Sequence, residues 1–309
     1  MKRLLVGYKA ADITPGMLDE GTVCHALDIY HAHAIEKVHP SASVVCSAHL
    51  PQDTWDEIRF RTGPKLMSGE LSLDLMQEIH LLKPARFTLD FVGRERERND
   101  LLNKMKDKPG RVRDFAARWP ASVPGGEKMM FTSFPGCFCH RRLDEGGLAL
   151  AEVVVRDLLA VSPSAVFGSL SLLDMGCGCG LVGFLIAGAV KNVRLTMIDS
   201  HSRAVEAAKL NSENFGIPAE TVLADDGIAS LGRDGAFDVF VGNPPYYSDY
   251  RIAEVFLDTA KRALKNGGMC YTVVKNEAGL KPVQERYFPT VEVIRRRGYS
   301  VLKSSLAAR

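Results

Sequence analysis

Two hydrophobic rhythms alternate through the second half of the chain. Short, nearly unbroken apolar runs predict buried strands over Leu170–Met175, Val193–Ile198, Thr221–Ala224, Phe237–Val241 and Met269–Val274. Between them, apolar positions fall three and four apart, which predicts helices. Gly180–Val190 reads as a buried helix. Ser202–Phe215 carries Ala204, Ala207, Ala208 and Leu210 near helical spacing, with Ser202 as N-cap and Gly216 as C-cap. Tyr250–Leu264 gathers Ile252, Val255, Phe256, Thr259, Ala260 and Ala263 on one face, and Asn266-Gly267-Gly268 is expected to stop it. Val291–Ile294 and Tyr299–Leu302 predict a closing hairpin around Arg297-Gly298. Repeated strand–helix alternation of this kind implies an α/β fold, a parallel sheet with helices on both faces.

The first half carries a fainter version of the same order. Trp55–Phe60 reads as a strand and is followed by Thr62-Gly63-Pro64-Lys65. A helix near Leu71–Leu82 and a strand over Phe87–Val92 come next. In the second half, Phe237–Val241 precedes Gly242-Asn243-Pro244-Pro245-Tyr246, then a helix and the strand Met269–Val274. One reading is an internal duplication with its motif eroded in the first copy. The other is that strand–turn–helix–strand units recur in unrelated α/β proteins. Trp119-Pro120-Ala121-Ser122-Val123-Pro124-Gly125-Gly126 breaks both rhythms and is expected to be a linker. It divides the chain into domains 1–120 and 121–309.

Composition narrows the class without choosing a function. Of 309 residues, 46% are hydrophobic and 25% charged, and 39 Lys+Arg against 37 Asp+Glu leave a net charge of +2. That balance argues against coating nucleic acid by bulk charge. It leaves room for local basic faces, and residues 94–118 and 275–309 are two candidates. Their alternative reading is a solvated surface with Glu–Arg pairs, visible in Arg94-Glu95-Arg96-Glu97-Arg98. Seven Cys, an odd count, suggest reduced thiols. No stretch approaches the roughly 18 apolar residues of a membrane span. Met1–Gly7 lacks the roughly 7–15 apolar residues of a secretory signal. The expectation is a cytoplasmic protein, without membrane contact and monomeric.

Candidate chemistry concentrates at the ends of the predicted strands, where open parallel sheets bind ligands. Asp174-Met175-Gly176-Cys177-Gly178-Cys179-Gly180 links a strand to a helix. Gly176, Gly178 and Gly180 permit a tight turn and close approach of a ligand. The helix beyond offers free N–H groups. An acidic residue before G-x-G-x-G suits S-adenosylmethionine (SAM), whose ammonium and carboxylate need opposite partners. Asp199 ends the next strand, where a carboxylate can accept both ribose hydroxyls. Asp225 ends the third and can accept from an adenine amino group, with Asp226 competing for that role. Taken singly, each Asp reads as a turn or cap residue. Asn243-Pro244-Pro245-Tyr246 follows the fourth strand. The Asn243 carboxamide oxygen and the Pro244 carbonyl can accept both protons of an exocyclic NH2, the proline pair stiffens the loop, and Tyr246 offers a ring for stacking on a base.

Residues 127–309 resemble the class I SAM-dependent methyltransferases that act on planar amino groups. Within them the chain resembles the rRNA guanine-N2 methyltransferases of the RsmC/RlmG type. Phe134-Pro135-Gly136-Cys137-Phe138-Cys139-His140 and Leu143-Asp144-Glu145-Gly146-Gly147-Leu148-Ala149-Leu150 are similar to that family's segment before its first strand. The resemblance implies a Rossmann-like seven-stranded catalytic domain preceded by a degenerate methyltransferase-like α/β domain that positions RNA. It implies SAM as cofactor, ribosomal RNA or a ribosomal subunit as partner, and methylation of guanine N2. Asn243, Pro244, Pro245 and Tyr246 would be catalytic. Asp174, Gly176, Gly178, Gly180, Asp199, Asp225 and Asn243 would hold SAM.

The chain departs from the family where the fourth motif position is Tyr246 rather than Phe. Tyr there is common in adenine-N6 and glutamine-N5 methyltransferases, so those targets stay open. So does a non-catalytic RNA-binding protein with this fold. Gly146-Gly147 replaces Gly-Ser/Thr, which removes a hydroxyl. Cys137-x-Cys139-His140 and Cys177-x-Cys179 are spaced too closely for a usual thiolate metal site, and no metal is expected. His25, His31, His33 and His39 are expected on helix surfaces or at domain contacts.

Overall fold

The computed structural model describes residues 1–106, 112–161, 169–245 and 250–307. They form two compact units. The first comprises Met1–Ala117, Phe134–Cys137 and His201–Arg203; the second comprises Arg118–Ser133, Phe138–Ser200 and Ala204–Arg309.

In the first unit the chain runs β1 (Arg3–Val6), β2 (Thr22–Ala26), α1 (Ile29–Val38), β3 (Ser43–Cys46), β4 (Glu57–Thr62), α2 (Gly69–Leu82), β5 (Arg86–Phe91) and α3 (Glu95–Lys106). Its five strands are all parallel, in the order β3-β2-β1-β4-β5. The sequence explains the helices locally. Asp28 caps α1 by accepting from the Tyr30 N–H, and Ser68 caps α2 by accepting from that of Leu71. Leu71, Leu75, Met76 and Ile79 of α2 pack in one core cluster with Leu4 and Val6 of β1 and Ile58 and Phe60 of β4. His25, expected on a helix surface or at a domain contact, is a core residue of β2, 2% exposed, with Nε2 2.9 Å from the Ser47 carbonyl. Burial pulls its pKa down to about 4, so the ring is neutral. Arg203 is 1% exposed and is held within this unit by Asp74, Glu78 (2.9 Å) and the Ala48 carbonyl (2.9 Å). Ser202, expected to cap a helix, donates to the Leu27 carbonyl at 2.7 Å.

The second unit begins with a two-stranded ribbon of β6 (Ala117–Ala121) and β7 (Met129–Ser133). This corrects the linker expectation. Trp119 and Pro120 lie inside a strand, and Pro124, Gly125 and Gly126 fall in the connection. Pro120 is tolerated because each strand of a two-stranded ribbon has an open edge. Trp119 stacks on Phe131 at 5.3 Å between ring centroids. The chain then continues through α4 (Glu145–Val161), β8 (Leu170–Met175), α5 (Leu181–Ala189), β9 (Val193–Asp199), α6 (Ser202–Phe215), β10 (Ala219–Leu223), α7 (Ile228–Leu231), β11 (Phe237–Gly242), α8 (Arg251–Ala263), β12 (Leu264–Val274), α9 (Glu277–Glu285), β13 (Glu292–Arg296) and β14 (Tyr299–Ser305).

Seven strands form one sheet, β10-β9-β8-β11-β12-β14-β13. The first five are parallel, and β14 runs antiparallel to both β12 and β13. Numbered from its own first strand, each sheet has the order 3-2-1-4-5, with the second adding a hairpin. That hairpin turns at Arg297 (φ 51°) and Gly298 (φ 73°), the two left-handed residues a type I′ turn requires. One boundary differs from expectation. α8 ends at Ala263, because Leu264 is already extended (φ −74°, ψ 140°), and the two glycines at 267 and 268 fall within irregular β12 rather than stopping the helix. The core on one side of this sheet gathers Leu173, Met175, Phe240, Phe256, Leu257, Leu280 and Leu302.

All seven cysteines are free thiols. Among the described residues, no helix is long and apolar enough to cross a membrane. Among the same residues, no cluster of His, Cys, Asp or Glu is arranged to hold a metal ion.

Candidate active site

β8 and β11 are adjacent and parallel, with Val241 opposite Asp174 and Gly242 opposite Met175. Gly176 and Asn243 therefore leave the sheet side by side, one residue past the last paired position. The glycine loop and the Asn243-Pro244-Pro245 loop begin at one edge of one sheet.

The three loop glycines are all left-handed, with φ of 68°, 56° and 85° at Gly176, Gly178 and Gly180. Their surroundings differ. A Cβ on Gly176 would stand 2.7 Å from the Phe256 ring, and one on Gly180 would stand 2.4 Å from Phe184. A Cβ on Gly178 would meet no atom within 4 Å. The outer two glycines thus serve packing, and Gly178 marks the open face of the loop. Backbone bonds hold the turn, with the Gly176 and Cys177 N–H groups donating to the Ile198 carbonyl at 2.8 and 3.1 Å.

Two carboxylates tie this loop down. Asp199, at the end of β9, accepts the Gly178 N–H at 2.8 Å. Asp174 is 2% exposed, and its carboxylate accepts the Gly183 N–H of α5 at 2.9 Å. Burial raises the Asp174 pKa to about 7. The Gly183 bond opposes that rise, and the nearby Asp199 charge adds to it. Beyond β10, exposed Asp226 accepts from both the backbone and the hydroxyl of Ser230, at 3.2 and 2.7 Å. It is thereby tied to the first turn of α7, whose N-cap is Gly227, whereas Asp225 beside it is half-buried.

On the Asn243 side, Pro244 is buried and Pro245 half-buried. Tyr246 lies outside the described residues. The Asn243 Nδ2 donates to Asp144 Oδ2 at 2.8 Å. Asp144 precedes α4 and caps it. Its Oδ1 accepts from the Gly146 N–H at 3.0 Å, and the Gly147 N–H also bonds its carboxylate. A Cβ on Gly147 would stand 2.6 Å from Asp144 Oδ2, and one on Gly146 would stand 3.1 Å from the Tyr299 ring. The Gly146-Gly147 pair is therefore fitted closely around Asp144.

Asp144 was not among the residues singled out from sequence for chemistry, and neither was Asn211. Asn211 is fully buried on α6. Its Nδ2 donates to the carbonyls of Cys179 (2.9 Å) and Thr132 (2.8 Å), and its Oδ1 accepts the Thr132 N–H at 2.9 Å. One side chain thus joins the end of the glycine loop to β7. A signal for it existed. Position 211 falls four residues after Ala207 and three after Ala208, on the apolar face of the helix, where a polar residue needs buried partners.

The basic residues of 275–309 resolve largely into ion pairs. Arg295 meets Glu277 at 2.7 Å, Arg296 meets Glu152, and Arg297 meets Glu145 (2.7 Å) and Glu152 (3.2 Å). Arg94 pairs with Glu97 at 2.7 Å. Lys275, exposed at the end of β12, lies 4.3 Å over the Tyr299 ring. Among the described residues it has no carboxylate within ion-pair distance.

Known proteins share both this sequence and this fold. Residues 128–303 match the family model described as the methyltransferase small domain. The ribosomal RNA small subunit methyltransferase C of Pseudomonas aeruginosa is 33% identical over 177 residues, 56% of this chain and 49% of that protein. The protein of the same name from Haemophilus influenzae is 28% identical over 176 residues, with the same coverage of each. The chain thus spans about half the length of the curated relatives it matches. Among solved structures, the Thermus thermophilus 16S rRNA N2 G1207 methyltransferase (RsmC), in complex with AdoMet and guanosine, superposes with a TM-score of 0.80. It covers 99% of this chain and 88% of its own, at 15% identity, a likeness of fold. With more than half of its length matching the family model, and a seven-stranded sheet that brings a glycine loop and an Asn-Pro-Pro loop to one edge, this chain belongs to the methyltransferase small domain family.

Proposed function

We propose that the protein methylates the exocyclic N2 of a guanine in ribosomal RNA, with SAM as methyl donor. The observation that carries this is the register of β8 and β11, which starts an open glycine loop and an amine-recognising Asn-Pro-Pro loop from neighbouring positions. The relatives named for small-subunit rRNA methylation, and the guanosine in the Thermus structure, support guanine as the base.

The residues present fit SAM. Gly178 leaves room where a Cβ would otherwise project, Asp199 stands at its N–H, and Asp225 follows the next strand. In this reading Asp199 holds the ribose hydroxyls, Asp225 the adenine amino group and the Gly176–Gly180 backbone the methionine part. Asp174 braces the loop through Gly183. SAM, when bound, supplies a methyl group on an electrophilic sulfonium.

The protein's task is to prepare the nucleophile. The guanine amino lone pair is delocalised into the ring. Asn243 Oδ1 and the Pro244 carbonyl, accepting its two N–H groups, favour a tetrahedral nitrogen whose lone pair faces the methyl carbon. Tyr246 stacks on the base after it leaves its helix, which costs a few kcal/mol. The gain comes from orientation and preorganised acceptors, and holding two reactants together can be worth roughly 7–11 kcal/mol. The proton leaves to water after transfer.

Among its described residues the first unit has no equivalent loop. After β1 it runs Gly7-Tyr8-Lys9, with the Tyr8 ring buried. We infer that it does not bind SAM and instead helps to position RNA. The test is incubation of the full chain with labelled SAM and ribosomal RNA, followed by nucleoside analysis. Methyl label on guanine N2, lost by orders of magnitude in Asn243→Ala while SAM affinity holds, is expected. Label on adenine or on a protein glutamine would overturn the substrate, and no transfer to any of them would overturn the enzyme.

A further inference from the structure

We propose that Asp144 is a positioning residue for Asn243, fixing which end of the carboxamide faces the amine to be methylated. The two ends of a carboxamide are nearly equal in size and opposite in hydrogen-bonding sense. Only Oδ1 can accept from an exocyclic NH2; an Nδ2 in its place would set donor against donor. Nothing in the Asn-Pro-Pro sequence makes that choice. A carboxylate does, because it is acceptor-only. Asp144 Oδ2 takes the Asn243 Nδ2 at 2.8 Å, which turns Oδ1 away from Asp144.

The device works only if Asp144 is itself immobile, and three features fix it. Its Oδ1 is engaged by the Gly146 N–H at 3.0 Å, and the Gly147 N–H adds a second backbone donor. Its own carbonyl accepts the Leu148 N–H at 2.9 Å, so the residue is locked as the first turn of α4. Gly147 has no room for a side chain beside Oδ2, so the carboxylate fills its site. Burial raises its pKa above the usual carboxylate value, and the donors from Gly147, Asn243 and Gly146 act against that rise. The helix cap and the orienting contact are one group with two oxygens, one for each task. Asp144 lies 99 residues from Asn243 in sequence, in the segment before the first strand. That segment thereby gains a part in amine recognition.

This inference rests on the methyl transfer proposed above, and the experiment separates the two. Asp144→Asn keeps a good N-cap and an oxygen for the Gly146 N–H, but turns an NH2 toward Asn243. Full-length protein is assayed with ribosomal RNA and SAM. The expected result is a kcat about 10- to 100-fold lower, the scale of a misplaced reacting contact. KM for RNA, SAM affinity by calorimetry and Tm should each stay near wild type. In nitrogen-15 spectra, the Asn243 side-chain NH2 pair, identified by its loss in Asn243→Ala, should shift in Asp144→Asn and in the second capping variant, Asp144→Ser. Wild-type kcat in Asp144→Asn, a KM or SAM defect that accounts for the loss, or unmoved Asn243 amide resonances would overturn the inference. Absence of methyl transfer by the wild type would overturn the enzymatic reading instead, and the amide resonances would still decide whether Asp144 orients Asn243.

Discussion

Replacing Asn211 by Ala should destabilise the second unit severely and disturb the glycine loop with it. Three buried backbone groups lose their partner at once: the Thr132 N–H, the Thr132 carbonyl and the Cys179 carbonyl. An orphaned buried polar group costs about 1–3 kcal/mol. Relaxation will rescue part of this, and Ala frees some side-chain entropy, so a net loss of about 3–5 kcal/mol is expected. Whole domains are stable by only about 5–15 kcal/mol. The structure supplies its own probe. Trp119 stacks on Phe131, the residue before Thr132. In a Trp55→Phe background, the fluorescence of Trp119 therefore follows unfolding of the ribbon that Asn211 anchors. With a urea m-value of about 3 kcal/mol/M, the midpoint should fall by roughly 1 M or more. Asn211→Asp is the sharper variant. It still accepts the Thr132 N–H but sets a carboxylate against two carbonyls, so it should be unstable at pH 8 and partly recover near pH 5, where protonation restores one donor. A midpoint within about 0.3 M of the parent for Asn211→Ala, or an Asn211→Asp protein equal to it at pH 8, would refute the reasoning.

Gly178→Ala should cost only about 1–2 kcal/mol of stability, the strain of a left-handed Ala, because its Cβ meets nothing in the protein; SAM affinity measured by calorimetry should nonetheless fall more than 100-fold, as the Cβ enters the cofactor's space. Asp174→Asn should stabilise the protein increasingly with pH. The wild-type pKa is raised from 3.8 to about 7, so the protonated native state is favoured below pH 4 and that contribution is lost as pH rises through 7. Urea titrations at pH 5 and pH 8 should show the variant's advantage growing toward a ceiling of about 4 kcal/mol. Lys275→Ala should weaken RNA binding and lower the slope of log affinity against log salt by about one, whereas Arg295→Ala, which breaks an existing ion pair with Glu277, should leave that slope nearly unchanged.

Much of the sheet was legible because its strands are buried on both faces and so read as apolar runs bounded by Gly, Asp and Asn. The edge that gathers Gly176 and Asn243 follows from that pattern alone. Side chains whose partners lie far along the chain were not legible. Asn211 and Thr132 are 79 residues apart, and Asp144 and Asn243 are 99. No local periodicity encodes such pairs. The same distance hid the neutralisation of Arg296 and Arg297, whose glutamates lie about 145 residues upstream. Trp119-Pro120 misled because turn-forming composition was read without the ribbon that tolerates proline at an open edge. His25 misled because a histidine can sit in a core once burial keeps it neutral and a carbonyl takes its ring nitrogen.

Gly63 follows β4 just as Asn243 follows β11, and each is succeeded by proline. A Cβ on Gly63 would lie 1.9 Å from the Val92 carbonyl oxygen, and Val92 is held there by its own N–H bond to Thr62 at 2.8 Å. No single substitution can therefore install a carboxamide at that corner. An asparagine at position 63 would first break the end of β5, and a mutation that moved Val92 would first loosen the sheet with nothing gained. The adjoining corner, where Lys9 stands in place of the second loop glycine, needs a separate change again. At the Gly63 corner the backbone itself, rather than any one side chain, keeps an asparagine out.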